Sequence, residues 1–186
     1  MLKLTFLGTS AGAPTKQRNV TALAIECLNV HNSGLQQQSR SQHSSNQNKK
    51  SRPWLLIDCG EGTQQQLLHT KLSLRQLTAI CITHVHGDHC YGLPGLLASA
   101  AMSGRRDPLT LIAPNAIATL LEAIVSTTEL YLPFTLDFVS IEDLFSQEDD
   151  KGKVTLELDG QQQIMIEVYP LSHRVPSHGF GIAQTI

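Results

Sequence analysis

The chain has few of the features that mark a membrane protein or a strongly basic nucleic-acid-binding protein. Its 186 residues carry a formal net charge of −2, so no overall basic field points to nucleic acid. No apolar run approaches the roughly 18 residues that a bilayer span requires. The segment 1–7 is too short and alternates too regularly for a secretion signal. These absences favour one globular domain, residues 1–186, without a membrane partner.

Cysteine is sparse, and its spacing excludes a common kind of metal site. The four cysteines, Cys27, Cys59, Cys81 and Cys90, form no C-x-x-C pair, so a cysteine-based zinc site is disfavoured. Scattered cysteines of this kind are typical of reduced, buried thiols in a cytoplasmic protein.

One internal segment lacks the apolar residues needed to form a core. Residues 31–53 are almost entirely Ser, Gln, Asn, His and basic residues, with Leu35 the one large apolar side chain and no acid. Such a segment buries too little surface to offset the entropy lost on ordering, so we predict a disordered hairpin loop. Its positive charge would either help hold RNA or simply be solvated.

The hydrophobic pattern indicates an α/β fold, because strands come first in pairs and then alternate with helices. Strands are predicted over residues 2–7, 20–28, 54–58, 77–83, 109–112, 154–158, 164–168 and 179–186. Helices are predicted over residues 63–72 (burying Leu67, Leu68 and Leu72), around 93–101 and around 117–125. The acidic stretch 142–150 is interpreted as a solvated loop.

Histidine carries the clearest chemical signal. Three of the eight histidines fall within six positions in His84-Val-His86-Gly-Asp88-His89, directly after a predicted buried strand. In a tight loop His84 and His86 can point to one side while Asp88 and His89 point to the other, which gives two adjacent metal positions. Imidazole nitrogens with a carboxylate oxygen suit Zn²⁺ best, with manganese or iron as alternatives.

Completion of the first position needs a ligand from elsewhere in the chain. A catalytic zinc usually takes three protein ligands, and His173, after the predicted strand 164–168, is the best candidate for the third. His178 is a weaker candidate, interpreted as a surface residue or a neighbour of the ligands. Asp58 ends a strand beside the site, where it would either orient a ligand histidine or cap the turn that follows.

Several separate stretches resemble ribonuclease Z, the tRNA 3′-processing endonuclease family of the metallo-β-lactamase superfamily. They extend in the family's order from residue 1 to about residue 182, interrupted by the segment 31–53. The matching stretches are residues 6–10 (Phe-Leu-Gly-Thr-Ser), 14–19 (Pro-Thr-Lys-Gln-Arg-Asn), 58–64 (Asp-Cys-Gly-Glu-Gly-Thr-Gln), 82–89 (Ile-Thr-His-Val-His-Gly-Asp-His), 92–97 (Gly-Leu-Pro-Gly-Leu-Leu), 108–110 (Pro-Leu-Thr) and 170–176 (Pro-Leu-Ser-His-Arg-Val-Pro).

The resemblance implies an αββα sandwich, two zinc ions, a homodimer and endonucleolytic removal of the 3′ trailer from precursor tRNA, leaving a tRNA 3′-hydroxyl. It implies that His84, His86 and His173 bind one zinc, that Asp88 and His89 bind the other, and that Asp88 is the proton acceptor. It also implies substrate contacts from a loop near the site. The loop residues that match are Pro14, Lys16, Arg18 and Asn19.

The resemblance has gaps that bear on activity. Family members continue beyond the part matched here, and there they carry the carboxylate that bridges the metals, the last histidine ligand, a proton-donating motif and a tRNA-clamping arm. Phe180-Gly181 also stands where the family carries a tyrosine and an arginine. We therefore expect an N-terminal portion or a shortened member, with a sandwich incomplete at the C-terminus and an apolar sheet face left uncovered. Alternatives are an inactive metal- or RNA-binding remnant and another hydrolase of the same fold.

Overall fold

The computed structural model describes residues 1–28, 52–146, 152–158 and 162–185. The predicted disordered insertion 31–53 lies almost wholly outside these residues. The strands are β1 (Leu2–Gly8), β2 (Ala22–Cys27), β3 (Trp54–Ile57), β4 (Leu77–Cys81), β5 (Leu109–Ala113), β6 (Leu136–Ser140), β7 (Lys153–Glu157), β8 (Gln163–Leu171) and β9 (Ser177–Thr185). The helices are α1 (Thr63–Leu67), α2 (Gly87–Cys90), α3 (Leu93–Met102), α4 (Asn115–Thr128) and α5 (Ile141–Ser146), with a 3₁₀ turn at Leu74–Gln76.

A mixed six-stranded sheet forms the centre of the molecule, in the order β1 to β6. Strands β1, β2 and β3 pair antiparallel, whereas β3, β4, β5 and β6 pair parallel. The central strands are nearly continuous apolar runs, as expected for strands that are buried on both faces. Parallel pairing aligns the carboxyl ends of β3, β4 and β5 at one edge of the sheet.

The large sheet separates two apolar cores. One face packs against helices through residues such as Leu67 of α1, Leu96 of α3 and Ile117 of α4. The other face packs against a second, antiparallel sheet, β7-β8-β9, through Ile164 and Ile166. The described residues therefore form three layers of an αββα arrangement, and the sequence-based prediction of the fold class is confirmed.

The second sheet leaves part of the inner face uncovered at β1. Leu4 and Phe6 pair in register with Ile25 and Leu23, which belong to the core between the sheets. Leu4 is nevertheless 55% exposed and Phe6 68% exposed. The expected uncovered apolar area is present at these two side chains.

Three local predictions differ from the structure. Helix α1 ends at Leu67, where the next amides bond carbonyls three residues back, as Leu68 does to Gln65 at 3.2 Å. Leu68 is exposed rather than buried. Strand β6 was not predicted. Part of the predicted solvated loop 142–150 is helix α5. Ser140 caps this helix, because its Oγ accepts from the Asp143 amide at 3.0 Å. Residues 147–150 lie outside the described part. Among the described helices none is both long and apolar enough to cross a bilayer.

Candidate metal centre

The chemical groups of the site meet where neighbouring strands end. Asp58 follows β3, and Thr83 and His84 follow the parallel strand β4, so the pairing of the two strands brings these residues to one edge of the sheet. Asp88 and His89 lie on the short helix α2 that comes next. His173 comes from the loop between β8 and β9, on the other sheet.

Three imidazoles from these distant segments lie together. The nitrogen atoms of His84, His86 and His173 lie within 4.8 Å of one another. Nε2 of His84 is 3.1 Å from Nδ1 of His86, and the ring centroid of His173 is 4.9 Å from that of His84 and 5.4 Å from that of His86. His84 is buried, His86 is half-buried and His173 is exposed, so the group opens to solvent on one side.

These donors fit a divalent cation of the zinc type. Tetrahedral zinc with nitrogen at roughly 2.0–2.1 Å sets its ligand atoms about 3.4 Å apart, close to the 3.1 Å between His84 and His86. Burial, helped by the neighbouring His89, lowers the pKa of His84 to about 4. The imidazole is therefore neutral at neutral pH and has a lone pair to donate.

A second pair of donors lies directly beside the first group. Oδ2 of Asp88 is 3.4 Å from Nε2 of His89, and the ring centroids of His84 and His89 are 4.0 Å apart. Burial alone would raise the pKa of Asp88, but the Gly12 amide, which donates to Oδ2 at 2.7 Å, and the neighbouring His89 lower it overall. The pair offers one carboxylate oxygen and one imidazole nitrogen to the same space.

Asp58 contacts one histidine, His89, rather than capping a turn. Its Oδ2 lies 2.7 Å from Nδ1 of His89, and its Oδ1 accepts from the Thr83 amide at 2.8 Å. Burial would lower the pKa of His89, but the hydrogen bond to Asp58 raises it overall. Asp58 adopts the left-handed conformation, with φ 58°, which a residue other than glycine adopts at an energetic cost. The contacts are those of an orienting carboxylate.

The predicted substrate loop lies beside this centre. Gly12 of the loop donates to Asp88, and the Asn19 side chain donates to the Glu61 carbonyl at 2.8 Å. The side chains of Lys16 and Arg18 are exposed, and together with Asn19 they line a hollow of about 320 Å³. The loop thus presents two cations to solvent while its backbone is tied to the metal centre.

Some residues of the site were missed by the sequence analysis. Thr83 contacts Asp58, His84 and His89 through one hydroxyl group, and the signal that could have identified it is a hydroxyl residue directly before His84. Of the two interpretations given for His178, a surface residue or a neighbour of the ligands, the structure favours the second, because His178 is buried and its amide donates to the Thr83 carbonyl at 3.0 Å. His69 is exposed on the turn after α1, and His31 and His43 lie outside the described residues.

Two packed sheets, helices on the outer face of the larger one and a histidine cluster at the strand ends define a protein of the metallo-β-lactamase fold. Solved structures agree. The short form of human tRNase Z superimposes with a TM-score of 0.67 at 27% identity, covering 99% of this chain and 65% of that one. The metallo-β-lactamase fold protein YhfI from Bacillus subtilis superimposes with a TM-score of 0.58 at 18% identity, covering 98% of this chain and 57% of that one.

The chain belongs to the family whose model is described as anti-Pycsar protein Apyc1, which matches residues 36–186. Curated relatives confirm the resemblance to ribonuclease Z. Ribonuclease Z of Pseudomonas putida GB-1 is 46% identical over 180 residues, 96% of this chain and 46% of that protein. Ribonuclease BN of Escherichia coli O17:K52:H18 is 38% identical over 183 residues, 98% of this chain and 50% of that protein. The chain spans about half the length of the curated relatives it matches.

Proposed function

We propose that this chain is the histidine-bearing part of a zinc-dependent endoribonuclease of the ribonuclease Z type. It would remove the 3′ trailer from precursor tRNA and leave a tRNA 3′-hydroxyl. The observation that carries the proposal is the convergence of His84, His86 and His173 within 4.8 Å from two separate sheets. Relatives named ribonuclease Z and a neighbour named tRNase Z support the choice of substrate. The homodimer and the cytoplasmic location stay predictions.

The proposal gives each residue a chemical role. His84, His86 and His173 would hold one zinc, and Asp88 and His89 would contribute to a second position. Zinc, when bound, would neutralise charge on the phosphate and lower the pKa of a bound water from 15.7 to about 7. Asp88 would orient the attacking water and accept its proton at a carboxylate oxygen. The Gly12 amide on Oδ2 of Asp88 supports this role, since it fixes the direction of the carboxylate.

The loop would position the RNA. Lys16 and Arg18 are exposed cations on a loop whose Gly12 touches Asp88, so a phosphate held by them would lie close to the centre. Contacts of this kind fix the register of a nucleic acid without reading its sequence. Pro14 and Asn19 would shape the loop, and the bond from Asn19 to the Glu61 carbonyl supports this.

Two other functions have support in specific observations. An inactive metal- or RNA-binding remnant is supported by the second position, to which the described residues contribute Asp88 and His89 but no third histidine, cysteine or carboxylate. A hydrolase of the same fold that acts on a small ester or a cyclic phosphodiester is the other alternative, because the chain also matches the family model described as anti-Pycsar protein Apyc1.

The deciding experiment measures metal content and cleavage on the same protein. The purified chain is assayed for zinc per monomer and incubated with a precursor tRNA that carries a 3′ trailer. We expect cleavage at the trailer junction that is lost with a chelator and in Asp88→Ala, while the control His69→Ala cleaves normally because His69 is exposed and is not among the grouped histidines. About one zinc per chain without cleavage would support the remnant. Cleavage of a cyclic nucleotide but not of precursor tRNA would support the small-substrate hydrolase.

A further inference from the structure

One hydroxyl group lies at the centre of the polar contacts behind the histidines. Oγ1 of Thr83 is 3.0 Å from each carboxylate oxygen of Asp58 and 2.9 Å from Nδ1 of His84. It is 3.3 Å from Nδ1 of His89, whose closer partner is Asp58 at 2.7 Å. Thr83 therefore connects a buried carboxylate to a histidine that the carboxylate does not touch directly.

The position of this hydroxyl is fixed by bonds to the backbone of Thr83 on both sides. The Thr83 amide donates to Oδ1 of Asp58 at 2.8 Å. The Thr83 carbonyl accepts from the His178 amide at 3.0 Å and lies 3.2 Å from Nδ1 of His178. A residue held at its amide, carbonyl and side chain has little freedom to rotate its hydroxyl away.

A count of the protons decides which nitrogen of His84 carries hydrogen. Both oxygens of Asp58 face donors, so the group acts as a carboxylate that only accepts hydrogen bonds. The threonine hydroxyl has a single proton, which we assign to Asp58 because Oγ1 lies 3.0 Å from both carboxylate oxygens and a hydrogen bond to a carboxylate is stronger than one to a neutral imidazole. The oxygen is then left with lone pairs toward Nδ1 of His84, so Nδ1 must be the donor.

We propose that Thr83 is a positioning residue for His84. Its hydroxyl donates to Asp58 and accepts from Nδ1 of His84, which leaves Nε2 of His84 free to bind a divalent cation. Asp58 sets the tautomer of His89 directly and that of His84 through Thr83, so one carboxylate orients two imidazoles.

The inference rests on the proposed ligand role of His84, but the tautomer can be measured without metal or substrate. Long-range ¹H–¹⁵N correlation spectra of the metal-free, ¹⁵N-labelled protein distinguish protonated from bare ring nitrogens. We expect His84 to carry its proton on Nδ1 and to have a bare Nε2. A proton on Nε2 of His84 in the unmodified protein would overturn the proposal, whether or not any variant folds.

Substitutions at position 83 separate the hydroxyl from the fold. Thr83→Val keeps the branched shape and removes the relay, so we expect the Nε2-protonated form of His84 to become populated and zinc affinity, measured by chelator competition, to fall on the order of 10- to 100-fold. Thr83→Ser keeps the hydroxyl and should behave like the unmodified protein in both measurements.

The matched control is Thr78→Val, which removes a hydroxyl from β4 whose contact is a weak 3.5 Å bond to the Gln76 carbonyl. It should change neither the tautomer nor the affinity. An unchanged His84 tautomer in a folded Thr83→Val protein would contradict the proposal. Absence of precursor tRNA cleavage, with the tautomers as expected, would count against the proposed function and leave the role of Thr83 intact.

Discussion

At the scale of single residues, Arg105 holds several backbone segments together with one buried charge. The residue is 2% exposed, and its guanidinium donates to the carbonyls of Leu74, Leu77, Asp107 and Pro108. It also lies over the Phe134 ring, with its central carbon 5.5 Å from the ring centroid. The planar fork satisfies four carbonyl acceptors beside β4 and β5, of which the one bonded at Leu77 is buried.

Replacement of this fork is expected to destabilise the fold without touching the histidines. In Arg105→Met the four carbonyls lose the guanidinium as donor and the buried Leu77 carbonyl loses a partner, so we expect the free energy of unfolding to fall by about 2–4 kcal/mol. Arg105→Lys should recover little of this stability, because an ammonium cannot reproduce the fork. Urea denaturation monitored by circular dichroism measures the change. The control is Arg106→Met, since Arg106 is exposed and should be neutral; equal destabilisation at both positions would contradict the argument.

The residues of the site differ in how far the sequence could predict them. His84, His86 and His173 were identified because few residue types bind zinc, and a pair two positions apart requires a third ligand. Thr83 and Gly12 were not identified from the sequence. Thr83 contacts Asp58 and His84, and Gly12 contacts Asp88, only because the fold brings these strand ends and loops together. A hydroxyl or a backbone amide becomes informative only once its neighbours are known.

At the scale of elements, a close contact between two turns sets the position of α2. A Cβ added at Gly60 would lie 2.2 Å from the Asp88 carbonyl oxygen and 2.6 Å from Cγ2 of Val20. Next to this contact the Cys59 amide bonds the His89 carbonyl at 2.8 Å. The turn after β3 and the helix that carries Asp88 and His89 therefore pack backbone to backbone.

Gly60→Ala is expected to displace α2, because the obstructing atom is backbone and cannot rotate away. We expect the free energy of unfolding to fall by roughly 1–3 kcal/mol and zinc binding to weaken, measured by thermal denaturation and chelator competition. Gly95→Ala is the control. It lies within α3, where the nearest atom is the flexible Gln64 Oε1 at 3.0 Å, and alanine favours a helix. Normal zinc affinity in Gly60→Ala would disprove the displacement.

The predicted insertion between β2 and β3 gives a second test at this scale. These strands pair antiparallel, and the Cys27 amide donates to the Pro53 carbonyl at 2.9 Å, so the two ends of the connection are already adjacent. Replacement of residues 29–51 by Asn-Gly should leave the free energy of unfolding unchanged or raise it by up to roughly 1.5 kcal/mol, because a shorter loop costs less entropy to close. A large drop of stability in urea would contradict the prediction that this segment lies outside the core.

The same deletion decides whether the basic residues of the segment hold RNA. It removes Arg40, Lys49 and Lys50. If these side chains bind phosphates, the plot of log tRNA affinity against log salt concentration should become shallower in the deletion variant. The slope should change by about one unit for each phosphate contact that is lost. An unchanged slope would mean that the segment is only solvated.

The elements were predicted best where a pattern was long. The central strands and α4 follow from apolar runs and helical periodicity that tertiary contacts only reinforce. Helix α5 was missed because its acidic residues, Glu142 and Asp143, face solvent while Ile141 and Leu144 are buried. Strand β6 was missed although three of its five residues, Leu136, Phe138 and Val139, are apolar, because its place is set by parallel pairing with β5. Short elements depend on their neighbours more than on their own composition.

At the scale of the whole molecule, the two sheets are unequal, and the imbalance leaves apolar surface in the open. Within the described ranges a six-stranded sheet faces a three-stranded one, so the small sheet covers the inner face as far as Ile25 but not Leu4 and Phe6. These side chains point toward the core side of the large sheet rather than toward the helices. An inward-facing apolar pair that water reaches favours association with another apolar surface.

Self-association of the chain is therefore expected to depend on this pair. Burial of the exposed parts of Leu4 and Phe6 in a dimer would contribute on the order of 2 kcal/mol to association. The double variant Leu4→Thr, Phe6→Thr removes this apolar surface but keeps residue types that are favourable in a strand. It should weaken association by at least about tenfold. Sedimentation velocity over a range of concentrations measures this. The control pair, Leu68→Gln with Met102→Gln, removes side chains of higher exposure on the helical side. If the control weakens association as much as the β1 variant does, the helical face and not the uncovered inner face is responsible.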